Sequence, residues 1–121
     1  MKFLIPLESN QGLNSKISQH FGKALYYAIV TLKDGDYSVE IVENSKFRGL
    51  RPGEYFSQLD IDCVVVKSIG FKAVEVFRSR GIKIYSTDCE YLSCVIEKIL
   101  RGELSEYVES PCMGENSVNS L

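Results

Sequence analysis

His20 is the only histidine in the chain. It stands in "SKISQHFGKALYYAIV" (15–30), directly before Phe21 and Gly22. An imidazole is the commonest side-chain ligand for transition metals and changes charge near neutral pH. Its other reading is structural, a polar residue at a strand entry held by a backbone hydrogen bond. Position alone leaves both open. The remaining soft donors are four cysteines. Cys63 lies inside the apolar run "DCVVVK" and reads as a small core residue. Cys89 falls at the second position of an expected helix, where the dipole lowers a thiol pKa. Cys94 falls about 160° from the centre of that helix's apolar stripe, at about 100° per residue, so it is expected to be exposed and incidental. Cys112, in "SPCMG", reads as a neutral tail residue. No C-x-x-C pair is present, which leaves a structural zinc site without support.

The elements that must position these residues follow from periodicity. "KFLIPL" (2–7) is a short apolar run ended by a polar break, a buried strand. Residues 8–19 are loop by composition. "ALYYAIVTL" (24–32) is rich in aromatic and β-branched residues and reads as a strand. "KDGD" (33–36) is a tight turn, and "YSVEIVE" (37–43) alternates as a half-solvated strand. "RPGEYFSQL" reads as a short helix with Pro52 in its first turn. "DCVVVK" has the continuous apolar character of a strand covered on both faces. "GFKAVEVFRSRG" is helical, with Phe71, Val74 and Phe77 on one side and Gly81 at its end. "IKIYS" is a further strand. Thr87 to Glu90 forms a capping box for a last helix burying Leu92, Val95, Ile96, Ile99 and Leu100, ended by Gly102. Residues 103–121 lack apolar periodicity and read as a mobile tail.

The expected order is βββαβαβα. It predicts an α/β fold with a mixed five-stranded sheet and helices on its faces, a three-layer arrangement of the ribonuclease H-like kind. At 121 residues this is one domain, long enough to bury a core without staples. A net charge of −2 argues against nucleic-acid or membrane-surface partners. The basic run "KFRGLR" (46–51) reads as solvated surface. No stretch approaches the roughly 20 apolar residues of a membrane span, and the short apolar start lacks the form of a secretory signal. A cytoplasmic protein with reduced cysteines is therefore expected.

Several chemistries lack their residues. There is no dinucleotide or P-loop glycine pattern and no nucleophile elbow. "KFLIPL" carries none of the carboxylates that a ribonuclease H-like nuclease projects from its first strand to hold metal ions. Binding is the better-supported class, and in open α/β sheets ligands sit beyond the carboxyl ends of the parallel strands. The turns "KSIG" (67–70) and "STDC" (86–89) each open a helix there, so anions are favoured. Topology brings the start of the second strand, and with it His20, to the same edge. Ser68, Gly70, Thr87 and Asp88 are otherwise ordinary turn and cap residues. Phe21 reads as core, Gly22 as a close turn or close ligand approach, and Lys67 as a solvated lysine or an anion partner.

The succession of "SKISQHFGKALYY", "DCVVVKSIGFKAVEVFRSRGIKIY" and a helix ending in "LRGEL" resembles the dinitrogenase iron–molybdenum cofactor biosynthesis family, of the NifX, NafY and NifB C-terminal type. The shared features are a Ser…His-Phe-Gly loop, an apolar strand running into a Gly-containing turn and helix, a Gly-Ile-Lys-Val-Tyr-like strand and a closing Gly-Glu-Leu. The resemblance spans residues 1–105 and leaves 106–121 as a flexible tail. It departs at "FRGLRPGEY", where relatives often carry a Gly/His segment, and at Lys67, where their turn often begins with Gly. It implies a ribonuclease H-like fold without nuclease activity. It also implies a non-enzymatic carrier of an iron–sulfur or iron–molybdenum-type cluster, with a cofactor donor or recipient metalloprotein as partner. His20 maps to the metal-ligating histidine. With the edge read from topology, this places Phe21, Gly22, Ser68, Gly70, Thr87 and Cys89 around the cofactor. A metal-free protein-interaction module and a binder of a small anionic metabolite remain the alternative readings.

Overall fold

The computed structural model describes residues 1–44 and 49–108. Its elements are β1 (Lys2–Leu7), a single 3₁₀ turn (Gly12–Asn14), β2 (Tyr26–Lys33), β3 (Asp36–Glu43), α1 (Pro52–Ser57), β4 (Cys63–Val66), α2 (Phe71–Ser79), β5 (Lys83–Ser86), α3 (Leu92–Arg101) and β6 (Ser105–Glu106). One mixed sheet runs β3-β2-β1-β4-β5-β6. β1 pairs antiparallel with β2, and β2 antiparallel with β3. The β1–β4 and β4–β5 pairs are parallel.

The two central apolar strands, β1 and β4, face helices on both sides. Leu4, Val64 and Val66 point into a core closed by Phe56 of α1 and by Val74 and Phe77 of α2. Phe3, Ile5, Cys63 and Val65 point the other way, against Leu92, Val95, Ile96 and Ile99 of α3. This is why neither strand alternates in sequence. β3, at the sheet margin, does alternate. The β2–β3 turn has positive φ at both Asp34 (53°) and Gly35 (81°), the twist-matched hairpin connection that Asp-Gly favours.

The structure corrects the reading of the chain's last third. α3 does not start at a capping box. Its N-cap is Tyr91, without a side-chain cap. Thr87 Oγ1 instead accepts from the amide of Cys89 (3.1 Å). The helix cannot begin earlier because the backbone at 90–92 is already paired. The Glu90 carbonyl accepts from Ile17 N (2.9 Å), and Leu92 N donates to the Ser15 carbonyl (2.9 Å). Leu100 lies outside the buried stripe, 46% exposed. Cys89 and Cys94, expected as reduced thiols, form a disulfide with Cα atoms 5.8 Å apart. Cys94 is half-buried against the α3 core rather than exposed.

The sheet has six strands, not five. Ser105 and Glu106 pair antiparallel with β5, and Tyr107 N donates to the Ile84 carbonyl (2.9 Å) while its ring packs on the α1/α2 core. Residues 103–108 therefore complete the sheet edge. Cys112 and the rest of the stretch read as tail lie outside the described residues, as do 46–48 of "KFRGLR". Among the described residues, no helix is long and apolar enough to cross a membrane.

A chain ending at Gly102 should unfold at lower urea concentration than one ending at Val108. The expected difference is about 1–2 kcal/mol, the worth of one half-buried aromatic ring. Equal midpoints would show that β6 contributes nothing to the fold.

Candidate functional site

The stretch from Glu8 to Gln19, loop by composition, is sewn to the sheet. Glu8 N donates to the Lys16 carbonyl (2.8 Å) and Ser18 N to the Pro6 carbonyl (2.9 Å). Its two buried serines act locally. Ser15 Oγ accepts from Gln11 N (2.8 Å), and Ser18 Oγ donates to the His20 carbonyl (2.8 Å). The next residue, Phe21, is fixed three ways. Its amide donates to the Ser68 carbonyl (3.1 Å), its carbonyl accepts from the Tyr27 hydroxyl (2.5 Å), and its ring packs against Tyr27 and Phe77 at centroid distances of 5.3 and 5.4 Å. His20 is thus held by its backbone while its side chain is exposed.

Beside it opens a cleft of about 1050 Å³ between the His20–Lys23 turn, the first turn of α1 and the first half of α2. Ser68 and Gly70 complete its wall. Gly70 is the N-cap of α2, with φ −75° and ψ 154°. The first turn of an α-helix leaves amides without internal acceptors and carries the positive end of the dipole, and here that turn lines the cleft. Lys23, Arg51 and Lys72 line it together with Glu54 and Glu75, three cations against two carboxylates. Glu54 is partly engaged, since its Oε1 accepts from Arg51 N (3.2 Å). The cleft is thus locally positive in a chain whose net charge is −2. Phe71, expected on the buried side of α2, stands 67% exposed at this opening.

The sequence-derived site residues separate into two groups. His20, Phe21, Gly22, Ser68 and Gly70 surround this cleft. Thr87 lies in a different, smaller polar hollow with Asp88, Lys98 and Ser105. Cys89 is 3% exposed, bonded to Cys94 in the core beneath α3. The separation follows from α3 packing on the opposite sheet face, so only one of the two helix starts expected at His20 is there. The first turn of α3 carries Cys94, not Cys89. Lys67 forms an ion pair with Glu90 (3.8 Å). Sequence reasoning passed over Lys23, Lys72 and Arg51, the last because its basic run reads as surface. The serine of the Ser…His-Phe-Gly loop has no assigned role in the sequence, whereas Ser18 holds the His20 carbonyl.

Gly22 and Gly70 need explaining. Neither has positive φ, and a Cβ on either would meet nothing within 4 Å. Both border the cleft, so the absent side chains keep its floor open. Among the described residues, no group of three or more His, Cys, Asp or Glu side chains could hold a metal ion. Burial, aided by Asp62, pushes the Cys63 thiol up, as suits an inert core residue.

Over its described residues the structure defines a small mixed α/β domain with a six-stranded sheet, three helices, and an open, locally basic cleft presenting one histidine. The chain belongs to the dinitrogenase iron–molybdenum cofactor family, which it matches over residues 1–102. It is 26% identical over 113 residues to the uncharacterised protein MJ0580 of Methanocaldococcus jannaschii, covering 88% of this chain and 92% of that one. The crystal structure of PH0822 is similar at 29% identity and a TM-score of 0.74, covering 90% of this chain and 98% of that one. The apo form of the orange protein from Desulfovibrio gigas is similar in fold, at 17% identity and a TM-score of 0.73, covering 88% and 92%.

Burial pushes the Tyr27 hydroxyl pKa well above its ordinary value near 10. The folded state keeps that proton while the unfolded chain releases it. The stabilisation is complete below about pH 10 and is lost as pH rises beyond it. Tyr27→Phe should cost about 1 kcal/mol at pH 7 through the lost hydrogen bond, and should flatten the fall in stability between pH 9.5 and 11. Urea unfolding at several pH values checks both. An unchanged alkaline slope in the variant would remove Tyr27 as its cause.

Proposed function

We propose that the chain is a non-enzymatic carrier that holds a preassembled, anionic iron–sulfur or iron–molybdenum-type cluster in the cleft beside His20 and passes it to a recipient metalloprotein. The carrying observation is an exposed imidazole on an anchored backbone, in a locally positive cleft that lacks a set of further ligands among the described residues. A bare metal ion needs several protein donors. A preformed cluster brings most of its own ligands and asks for little more than one exchangeable donor, nearby cations and helix-start amides. The cleft volume lies at the upper end of the usual ~300–1,000 Å³ range for ligand sites, which suits a bulky cargo. Membership of a family named for the iron–molybdenum cofactor supports the same cargo class.

In this reading His20 is the metal ligand. Gly22 and Gly70 leave room for the cargo, Ser68 and the first turn of α2 supply polar contacts, and Lys23, Arg51 and Lys72 balance its charge. Phe21 positions His20 from the core. Thr87 and Cys89 have no part in the cleft. The scaffold is read as ribonuclease H-like, with a first strand that carries no carboxylate for nuclease chemistry, so no catalytic residue is assigned.

Anaerobic titration with isolated iron–molybdenum cofactor or a soluble iron–sulfur cluster, followed by gel filtration and metal analysis, tests this. Wild type should co-elute with metal. His20→Ala should bind at least tenfold more weakly, about 1.4 kcal/mol. Equal retention by both proteins, or by neither, would sink the reading. Gly70→Ala gives a second check. Its backbone geometry suits alanine, but alanine is a poorer N-cap than glycine, so the two effects offset and folding stability should change by no more than about 1 kcal/mol, while a methyl group in the cleft weakens cluster binding. Unimpaired binding by a stably folded Gly70→Ala would place the cargo elsewhere.

A further inference from the structure

The Cys89–Cys94 disulfide lies outside the cleft, yet the segment it closes is joined to the loop that leads to His20. We propose that this pair is a thiol–disulfide exchange site, and that its reduction by a dithiol loosens the segment bearing His20. The connector between β5 and α3 spans Thr87–Tyr91. Its start is tied to β4, where Thr87 N donates to the Val66 carbonyl (2.9 Å). Its end is the strip to which the loop is sewn. The Glu90 carbonyl accepts from Ile17 N and Leu92 N donates to the Ser15 carbonyl, both 2.9 Å, and Tyr91 pairs with Lys16. The next residue of the loop is Ser18, whose hydroxyl holds the His20 carbonyl. The disulfide fixes this connector to the first turn of α3.

Two features favour exchange over a purely structural staple. The bridge spans a sequence separation of five, and a short loop constrains the unfolded chain far less than a long one. What it restrains is therefore mainly local. The two sulfurs also differ in access and setting. Cys89 is buried, whereas Cys94 is half-buried in the first turn of α3, where the dipole favours a thiolate.

The step balances as ordinary exchange. One thiolate of the dithiol attacks Cys94 Sγ. The Sγ–Sγ bond breaks, and Cys89 leaves as a thiolate that takes up a proton. The second thiolate of the reductant then attacks its own sulfur in the mixed disulfide, and Cys94 leaves and is protonated. Two electrons and two protons reach the protein, and the dithiol departs as its cyclic disulfide.

The test uses the full chain carrying Cys112→Ser, which removes one competing thiol. The protein is equilibrated in buffers of defined reduced-to-oxidised dithiothreitol ratio, then examined by thiol trapping and by amide hydrogen exchange. A reversible two-electron transition should appear. In the reduced protein the amides of Ile17 and Phe21 should exchange at least tenfold faster, while Val65 in β4 stays protected. Cys94→Ser and Cys89→Ala, each made separately, should reproduce the faster exchange without any reductant. The proposal fails if the pair does not oxidise. It fails equally if reduction exposes Val65 together with Ile17, or if both redox states exchange alike at Ile17 and Phe21.

Discussion

The cleft depends on how Phe21 is held. Burying its ring against Tyr27 and Phe77 is worth about 1.5–3 kcal/mol. Each of the two hydrogen bonds at its backbone adds about 1 kcal/mol. These contacts reach three separate elements: β2 through Tyr27, the β4–α2 turn through Ser68, and α2 through Phe77. The turn is therefore anchored to the core from three sides. His20, one residue before it, is exposed and yet placed. A side chain presented in this way meets a ligand without first losing its backbone freedom, which is the advantage of a preorganised site.

The same anchoring explains the local charge. Pinning the His20–Lys23 turn to the β4–α2 turn brings Lys23 to the first turn of α2, with its free amides and Lys72. The short helix α1 brings Arg51 to the third side. An acidic chain thus acquires a positive recess. Net charge describes solubility and long-range steering, whereas a site answers to the few charges within a Debye length of about 8–10 Å.

Much of the frame was legible because it rests on local rules. The uninterrupted apolar runs of β1 and β4 announced strands covered on both sides. Asp34-Gly35 announced the hairpin, and Gly102, in the left-handed conformation, announced the end of α3. The histidine and its edge could be traced because chain direction decides which strand ends lie together. What failed was decided by long-range pairing. Thr87 to Glu90 satisfies the spacing of a capping box, but the backbone of 90–92 is taken by residues 15–17, 73 to 77 positions away in the chain. β6 is two polar residues that become a strand only because β5 offers an edge. The disulfide depends on where α3 actually begins. Arg51 joins the cleft only once α1 packs beside α2, where Gly53 lets Ala73 approach to 3.2 Å of the position a Cβ would take.

The central claim is that an anionic cluster sits at the His20 cleft and nowhere else on the domain. Amide resonances of isotopically labelled protein, followed anaerobically as a paramagnetic iron–sulfur cluster is added, test it most directly, because broadening falls steeply with distance from the metal. The account predicts that Gly22, Ser68 and Gly70 to Ala73 broaden first while Thr87, Asp88 and Ser105 stay sharp. Broadening centred on Thr87 and Ser105, or spread evenly over the surface, would contradict it.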